Sequence, residues 1–192
     1  HCFEPDPELG ETLSRKYAGN HKVNVVHAAL GEQVGKACFN INVSRPTNSL
    51  LDATDDLQAD LKKLCDRVRQ VEVTVTTIDE YCASRTIDRI DVIKLDLQGY
   101  DYLALKGAGR TLETAKVVLV EVLFREFYKG CHLFPDTLAF MLSKGFELYT
   151  LCGLHYGERD ELLWADAIFV RSDNDSRSEN GSTVIDQNRT PH

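Results

Sequence analysis

The sequence predicts an α/β fold built on a mainly parallel sheet, with an antiparallel pair of strands at its end. Strands alternate with helices along most of the chain, which is typical of parallel sheets with crossover helices. Residues 23–30 and 117–123 are almost continuously apolar, as expected of strands covered on both faces. Residues 146–151 and 165–170 are separated by a polar loop without a helix, which indicates an antiparallel pair.

The chain opens on a short strand followed directly by a helix. Asp6 is a good N-cap, Pro7 a good first helical residue, and Gly19 is expected to end the helix. A half-buried strand is then predicted from apolar residues that alternate with polar ones at Phe39, Ile41 and Val43.

Next comes a helix, predicted from apolar residues at helical spacing: Leu57, Leu61, Leu64 and Val68. Residues 71–76 again alternate as a half-buried strand, and Thr77 with Glu80 forms a capping box that begins a short helix.

The centre of the chain gives the clearest pattern. Residues 90–96 are predicted to form a strand that Gly99 turns into a helix, and Gly107 and Gly109 interrupt that helix. After the apolar strand at 117–123, a helix is predicted from Leu138, Met141 and Leu142, and Gly145 closes it.

The length of the chain predicts one domain and a tail. The 192 residues exceed the usual domain size of about 150 only modestly. We place the domain at residues 1–171. Residues 172–192 are almost wholly polar, and we expect them to be disordered because they cannot bury enough apolar surface to offset the entropy of ordering.

Composition excludes several classes of protein. A net charge of −8 argues against nucleic acid or an anionic membrane as the main partner. No apolar run approaches the roughly 20 residues of a membrane span, and the first residues lack the apolar core of a signal peptide. The six cysteines form no metal-binding spacing, so we expect reduced, structural thiols in a cytoplasmic protein.

Glu4 is the first acidic residue with a suggestive position, because it ends the opening strand. At the carboxyl end of a strand in a doubly wound sheet, an acid can accept hydrogen bonds from both hydroxyls of an adenosine ribose. A solvated acid stabilised by the helix N-terminus that follows explains the same position. The sequence leaves both interpretations open.

Asp96 and Glu121 are acids in two successive buried strands. Asp96 lies at the carboxyl end of its strand, where open α/β sheets bind ligands, although an ion pair with Lys94 or a helix cap would also explain it. Glu121 interrupts an apolar run, and burying a carboxylate is costly unless it is paired or solvated. It is therefore either hydrogen-bonded structure or part of a crevice, and we expect both acids to face one cleft.

His27 ends an apolar strand and could contact a ligand base, but a satisfied core histidine is an equal alternative. A glycine-rich phosphate loop is absent from the chain, because the central glycines interrupt a helix and do not follow a strand.

These pieces, in this order, resemble the FkbM family of S-adenosylmethionine-dependent methyltransferases. The most specific match is IDVIKLDLQGYDYLALKGAGRTL at residues 90–112. Further similar segments are FEP at 3–5, VVHAALG at 25–31, NSLL at 48–51, TIDE at 77–80 and VLVEV at 118–122. The resemblance covers residues 1–171 and implies a Rossmann-like class I methyltransferase sheet.

The chain departs from the family pattern in two places. Gln98 stands where many members carry Glu, so no charged role is assigned to it. The family's first strand and glycine-rich DxGANxG loop would precede His1, between the strands of Glu4 and Asp96 in the sheet. We therefore expect an N-terminal truncation that binds cofactor poorly on its own.

The resemblance implies transfer of a methyl group from S-adenosylmethionine to a hydroxyl of a sugar or secondary-metabolite acceptor. Glu4 would hold the ribose, and Ala28 with His27 the adenine. Asp96 and Glu121 would orient or deprotonate the acceptor, and no metal is required. An NAD(P)-dependent oxidoreductase and a non-catalytic binding module on the same fold are the alternatives.

Overall fold

The computed structural model of the protein describes residues 1–55, 57 and 59–172. The predicted polar tail lies outside the described residues apart from Ser172, so its predicted disorder stays a prediction. The strands are β1 (Cys2–Phe3), β2 (Val25–Val26), β3 (Ala29–Leu30), β4 (Gly35–Asn42), β5 (Arg67–Thr76), β6 (Val92–Leu95), β7 (Val117–Leu123), β8 (Phe146–Tyr156) and β9 (Leu162–Arg171). The helices are α1 (Pro7–Tyr17), α2 (Ala59–Leu64), α3 (Ile78–Ser84), α4 (Asp101–Lys106) and α5 (Phe134–Ser143), with 3₁₀ turns at Arg45–Thr47 and Thr111–Glu113.

The strands form three sheets, of which the two larger are mixed and the two-stranded one is parallel. Their orders are β1-β2, β3-β5-β4 and β6-β7-β9-β8. Parallel pairing joins β1 to β2, β3 to β5 and β6 to β7, whereas β4–β5, β7–β9 and β8–β9 are antiparallel. The α/β class and the antiparallel terminal pair are confirmed. The mainly parallel, Rossmann-like arrangement is not confirmed, because the long strands β5 and β9 pair with antiparallel neighbours.

The predicted strand at residues 23–30 is wrong in one respect: it is two strands in different sheets. β2 pairs with β1, and β3 pairs with β5. The chain bends between them, where Ala28 N–H donates to Val26 O at 3.0 Å. The bend occurs at His27, the one titratable side chain in an apolar run, and it carries Ala28 and the residues after it to the second sheet.

The helix predicted through Val68 is also too long. α2 ends at Leu64, and Val68 belongs to β5, where it is exposed. Val43 N–H donates to Asp66 O at 2.9 Å, which brings the segment after α2 against the end of β4. The β-branched residues of β5 favour a strand from that point.

The terminal strands are longer than predicted. β8 and β9 extend through most of the expected polar loop and leave a tight turn between Tyr156 and Leu162. Gly157 N–H donates to Glu161 O at 2.8 Å and closes that turn.

Local signals place other elements as predicted. The Asp6 side chain accepts from Glu8 N–H and Leu9 N–H and caps α1, and Thr77 accepts from Glu80 N–H at 2.9 Å at the start of α3. β7 spans the predicted residues 117–123. One face of the β6–β9 sheet is the main core, packed with residues that include Leu95, Val118, Val120 and Phe169.

The carboxylate of Asp79 in α3 holds the turn that follows α4. It accepts hydrogen bonds from Arg110 N–H at 2.9 Å, Thr111 N–H at 2.8 Å and Thr111 Oγ1 at 2.7 Å. These bonds lower the pKa of Asp79 against the opposing effect of its burial. Within the same turn, a Cβ on Gly107 would lie 2.1 Å from Gly31 O. We call Asp79, Gly107, Arg110 and Thr111 the α3–α4 clamp; it fixes α4 against the segment after β3.

In the part of the chain that the structure describes, no helix combines the length and apolar character needed to cross a bilayer.

Candidate active site

A cavity of about 370 Å³ lies where β1, β3 and β6 end. Its apolar walls include Ala28, Phe39, Leu50 and Leu97, and its polar lining is formed by Glu4, Arg45, Asn48, Asp96, Gln98 and Tyr100. The carboxyl ends of strands are where open α/β proteins bind ligands. Glu4, Ala28 and Asp96, which lie up to 92 positions apart in the sequence, therefore border one space.

Glu4 lies directly after β1 at one end of the cavity. Asp6 N–H donates to Glu4 Oε1 at 2.8 Å, so the start of α1 fixes this carboxylate. Burial raises the pKa of Glu4, and the Asp6 N–H, Arg45 and His27 partly oppose that rise. The acid near a helix N-terminus that the sequence suggested is present, and the same residue also lines the cavity.

Arg45, in the turn after β4, is paired with acids of α1. Its Nη1 lies 3.5 Å from Asp6 Oδ2, and its Nη2 contacts Glu8, which Arg69 also contacts at 2.6 Å. These ion pairs join the β4–β5 hairpin to α1 across the rim of the cavity. Their residues lie up to 61 positions apart, and no local pattern predicts them.

Asn48 is a buried amide in the cavity wall that the sequence did not single out as a binding residue. Its Oδ1 accepts Asn42 N–H at 2.8 Å, which fixes the orientation of the amide. Its Nδ2 is buried without a hydrogen-bond partner among the described residues. A buried donor left unsatisfied costs about 1–3 kcal/mol, so this atom is suited to a ligand that offers an acceptor.

Asp96 directly follows β6 and is about half exposed, at 48% for its side chain. Lys94 Nζ lies 3.4 Å from Asp96 Oδ2, and Gln98 Nε2 donates to Asp96 Oδ1 at 2.8 Å. The ion pair considered from the sequence is therefore present. Asp96 forms this ion pair and also lines the cavity, so the ion pair does not exclude Asp96 from the candidate site.

Gln98 has a backbone conformation that non-glycine residues rarely adopt. Its φ is +52°, and that of Gly99 is +88°. Such a conformation costs about 1–3 kcal/mol in a residue with a side chain. Ser49 Oγ donates to Gln98 O at 2.8 Å, and Tyr128 OH donates to Gln98 Oε1 at 2.8 Å. These two bonds, with the bond to Asp96, hold the strained turn in place.

Glu121 faces Asp96 through the side chain of Gln98. Gln98 Nε2 lies 3.4 Å from Glu121 Oε2, and Asp166 of β9 is the cross-strand partner of Glu121. Burial, followed by the charges of Asp96, Asp101 and Asp166, raises the pKa of Glu121 to about 8, and Lys94 opposes the rise. Glu121 is beside the cavity and outside its immediate lining among the described residues.

Asp101, at the start of α4, is a further acid of this group. It is buried, and its Oδ1 accepts Leu97 N–H at 3.1 Å. Burial is the main cause that raises the pKa of Asp101 to about 7, and Asp96 adds to it. Asp101 begins α4 only a few residues after β6, a position that the sequence shows. Its burial was not predicted, because no local sequence pattern indicates it. We call Asp96, Asp101, Glu121 and Asp166 the acid cluster.

His27 is not among the residues that line the cavity, and it packs on α1. Its Nε2 is hydrogen-bonded to Ser14 Oγ at 2.9 Å, and a Cβ on Gly10 would lie 3.0 Å from its Nδ1. His27 is exposed, so it is not the satisfied core histidine that the sequence offered as an alternative, and its contact with a ligand base stays a prediction. Ala28, the other residue expected near adenine, does line the cavity. No grouping of three or more His, Cys, Asp or Glu suited to a metal ion occurs among the described residues.

Comparison with known proteins gives one family and one curated relative. The model of the methyltransferase FkbM domain matches residues 1–148. A 2-O-methyltransferase, NoeI of Sinorhizobium fredii, is 22% identical over 139 residues, which cover 67% of this chain and 55% of that protein. The chain thus spans about half the length of the curated relative it matches. No solved structure is significantly similar to it.

The family match covers most of the chain and includes Glu4, Ala28, Asp96 and Glu121. The resemblance seen in the sequence motifs is therefore confirmed, and the chain belongs to the FkbM methyltransferase family.

Proposed function

We propose that this protein is an S-adenosylmethionine-dependent O-methyltransferase that acts on a hydroxyl of a sugar or secondary metabolite, presented as a small molecule or a glycan. One observation carries the proposal: Glu4 and Asp96, from the ends of two strands, border the same cavity. The name of the curated relative, a 2-O-methyltransferase, supports an oxygen acceptor. We extend the proposal to a cytoplasmic location, supported by six cysteines that are all free thiols.

The residues of the cavity fit such a cofactor. A volume of about 370 Å³ lies within the usual range for small-molecule sites, roughly 300–1,000 Å³. Glu4 has one oxygen bound to Asp6 N–H, and its Oε2 can accept from ribose hydroxyls. Ala28, Phe39 and Leu50 supply apolar surface for a base, and the unpartnered Asn48 Nδ2 can donate to it or to another acceptor atom of the ligand.

The bound cofactor would supply a methyl group on a positively charged sulfur, already electrophilic, so the protein's task is alignment and charge stabilisation. Asp96 would accept a hydrogen bond from the acceptor hydroxyl and orient its oxygen. A carboxylate is a weak base toward an alcohol, so Asp96 would take the proton only as the new C–O bond makes that proton acidic.

Glu121 would have a different role from Asp96. With a pKa of about 8, it holds a proton at neutral pH. The cluster then presents less negative charge to the cavity than four ionised acids would, and Asp96, half exposed and paired with Lys94, remains available to the acceptor.

The alternatives differ in what they bind and turn over. The family match disfavours an NAD(P)-dependent oxidoreductase, although an acid at the end of a strand can hold the ribose of either cofactor. A non-catalytic module would bind S-adenosylmethionine without methylating any hydroxyl.

Calorimetric titration of S-adenosylhomocysteine and NAD separates these possibilities. The titration uses the full-length protein. We expect binding of S-adenosylhomocysteine only, and a loss of about tenfold in affinity for Glu4→Gln, since one charged hydrogen bond is worth about 1.5–3 kcal/mol. Glu72→Gln, an exposed acid paired with Lys36, is the matched control. Preferential binding of NAD would overturn the proposal.

A further inference from the structure

Gln98 forms hydrogen bonds with four residues in and around the candidate site. Its Nε2 donates to Asp96 Oδ1 at 2.8 Å and lies 3.4 Å from Glu121 Oε2. Its Oε1 accepts Tyr128 OH, and its carbonyl accepts Ser49 Oγ, both at 2.8 Å. One side-chain amide thus touches both acids assigned to the chemistry, while two other residues hold it in place.

The orientation of this amide is fixed by its neighbours. A flipped amide would place Oε1 against the carboxylate of Asp96, where two acceptors would repel each other. The hydroxyl of Tyr128 can donate to the amide oxygen or accept from the amide nitrogen, so it does not fix the orientation of the amide. The carboxylates of Asp96 and Glu121 fix it, because they can only accept from Nε2. Both N–H bonds of Nε2 are consequently directed to the acidic side of the site.

The surroundings of Gln98 are mostly acidic. The charged and titratable groups that act on its partners Glu121 and Tyr128 are Lys94 from β6, Asp96 directly after β6, Asp101 from α4, Asp166 from β9 and Cys65. Lys94 is the one cation among these described groups. A neutral donor at position 98 can bond two acids without adding a charge to the cluster.

We propose that Gln98 is a positioning residue whose neutral amide fixes the Asp96 and Glu121 carboxyl groups relative to each other and to the acceptor hydroxyl. The inference rests on the proposed function. The strained backbone of Gln98 supports the inference, because strained residues persist where the surrounding structure requires a particular geometry. Gln98 touches the two acids, and it acts on the reacting atoms only through them.

Three variants of the full-length protein test this role. Gln98→Met keeps the length of the side chain and removes its three hydrogen bonds, Gln98→Glu adds a charge, and Tyr128→Phe releases the amide oxygen. The main measurement is the pH titration of the ¹³C-labelled carboxyl groups of Asp96 and Glu121, which needs no acceptor. Gln70→Met and Gln70→Glu are the controls, since Gln70 is an exposed residue of β5 whose amide bonds Asn40 of β4.

We expect Gln98→Met to move the Glu121 titration upward by about 0.5 pH or more, because a lost donor disfavours the ionised form. We expect Gln98→Glu to make the cluster bind about one more proton at pH 7, because like charges disfavour ionisation. Turnover of any hydroxyl acceptor that the wild type methylates should fall about tenfold or more in both variants, with affinity for S-adenosylhomocysteine within about twofold.

Unchanged titration of both acids in Gln98→Met would overturn the inference. If the Gln98 variants do not fold, Tyr128→Phe decides: a smaller upward movement of the Glu121 titration supports the role, and wild-type titration contradicts it. Failure of the proposed function gives a different result, because a wild-type protein that binds no S-adenosylhomocysteine still reports the titrations.

Discussion

The α3–α4 clamp and the acid cluster use carboxylates in opposite ways. Asp79 in the clamp accepts three hydrogen bonds of 2.7–2.9 Å, and its pKa is lowered. Glu121 in the cluster has one long contact, 3.4 Å from Gln98, and three acidic neighbours that help raise its pKa to about 8. An acid whose acceptor sites are filled by donors stays ionised and stabilises the fold, whereas a buried acid beside other acids keeps its proton at neutral pH.

Within the α3–α4 clamp, substitution should cost the most stability at Gly107, where two backbone segments lie in contact. Gly107→Ala would put a Cβ 2.1 Å from Gly31 O, and a carbonyl cannot move aside as a flexible side chain can. We expect a loss of about 3 kcal/mol in the free energy of unfolding, measured by urea denaturation. Gly109→Ala is the matched control, because its nearest atom is Asp79 Oδ2 at 3.7 Å. Equal stability of the two variants would contradict the close approach.

Substitution in the acid cluster should lower turnover and leave the protein folded. Asp96→Asn keeps the shape of the side chain and removes its charge. We expect turnover to fall about a hundredfold, equivalent to about 2.7 kcal/mol, with affinity for S-adenosylhomocysteine changed less than about threefold. Steady-state kinetics with calorimetry makes this measurement, and the exposed Asp88→Asn is the control. Wild-type turnover in Asp96→Asn would remove this residue from the mechanism.

Asp79→Asn should lose stability without this loss of turnover per folded molecule. We expect a loss of about 2 kcal/mol at neutral pH, since Asn accepts fewer of the three hydrogen bonds. Because the folded-state pKa of Asp79 is lowered, its contribution is present above the unfolded value of 3.8 and is lost as pH falls through the folded value. Denaturation curves of both proteins should therefore converge in acid; a constant difference at all pH values would count against the clamp.

Glu121→Gln should show the reverse dependence on pH. The folded pKa of about 8 exceeds the ordinary value of 4.5, so the folded wild type binds more protons between these values and loses stability as pH rises. Relative to wild type, the variant should gain about 2 kcal/mol between pH 6 and pH 8. Parallel stability curves would show that Glu121 titrates normally.

The same contrast explains what could be predicted from the sequence. Local signals placed α1 through Asp6 and Pro7, and the continuous apolar run placed β7. The break at His27 was missed because an apolar run does not show where a chain changes sheets. Val68 was assigned to a helix because apolar spacing hid the strand preference of its β-branched neighbours.

Within the candidate site, the sequence predicted the acids and missed what holds them. Glu4 and Asp96 stood out because they lie at the carboxyl ends of strands, and Glu121 because it interrupts an apolar run, where burying a carboxylate is costly. Asn48 and Tyr128 did not, because an amide or a phenol in a loop costs nothing until distant elements bury it. The departure at Gln98 was visible in the sequence, but its bonds to Asp96, Glu121 and Tyr128 depend on three separate segments.

The most direct test of the account is a crystal structure of the protein bound to S-adenosylhomocysteine. We predict that the ribose hydroxyls bind Glu4, that the base contacts the wall formed by Ala28 and Phe39, and that the sulfur faces the side of the cavity that holds Asp96. A ligand bound elsewhere, with Glu4 and Asp96 both free of contact, would contradict the claim that these acids serve one site.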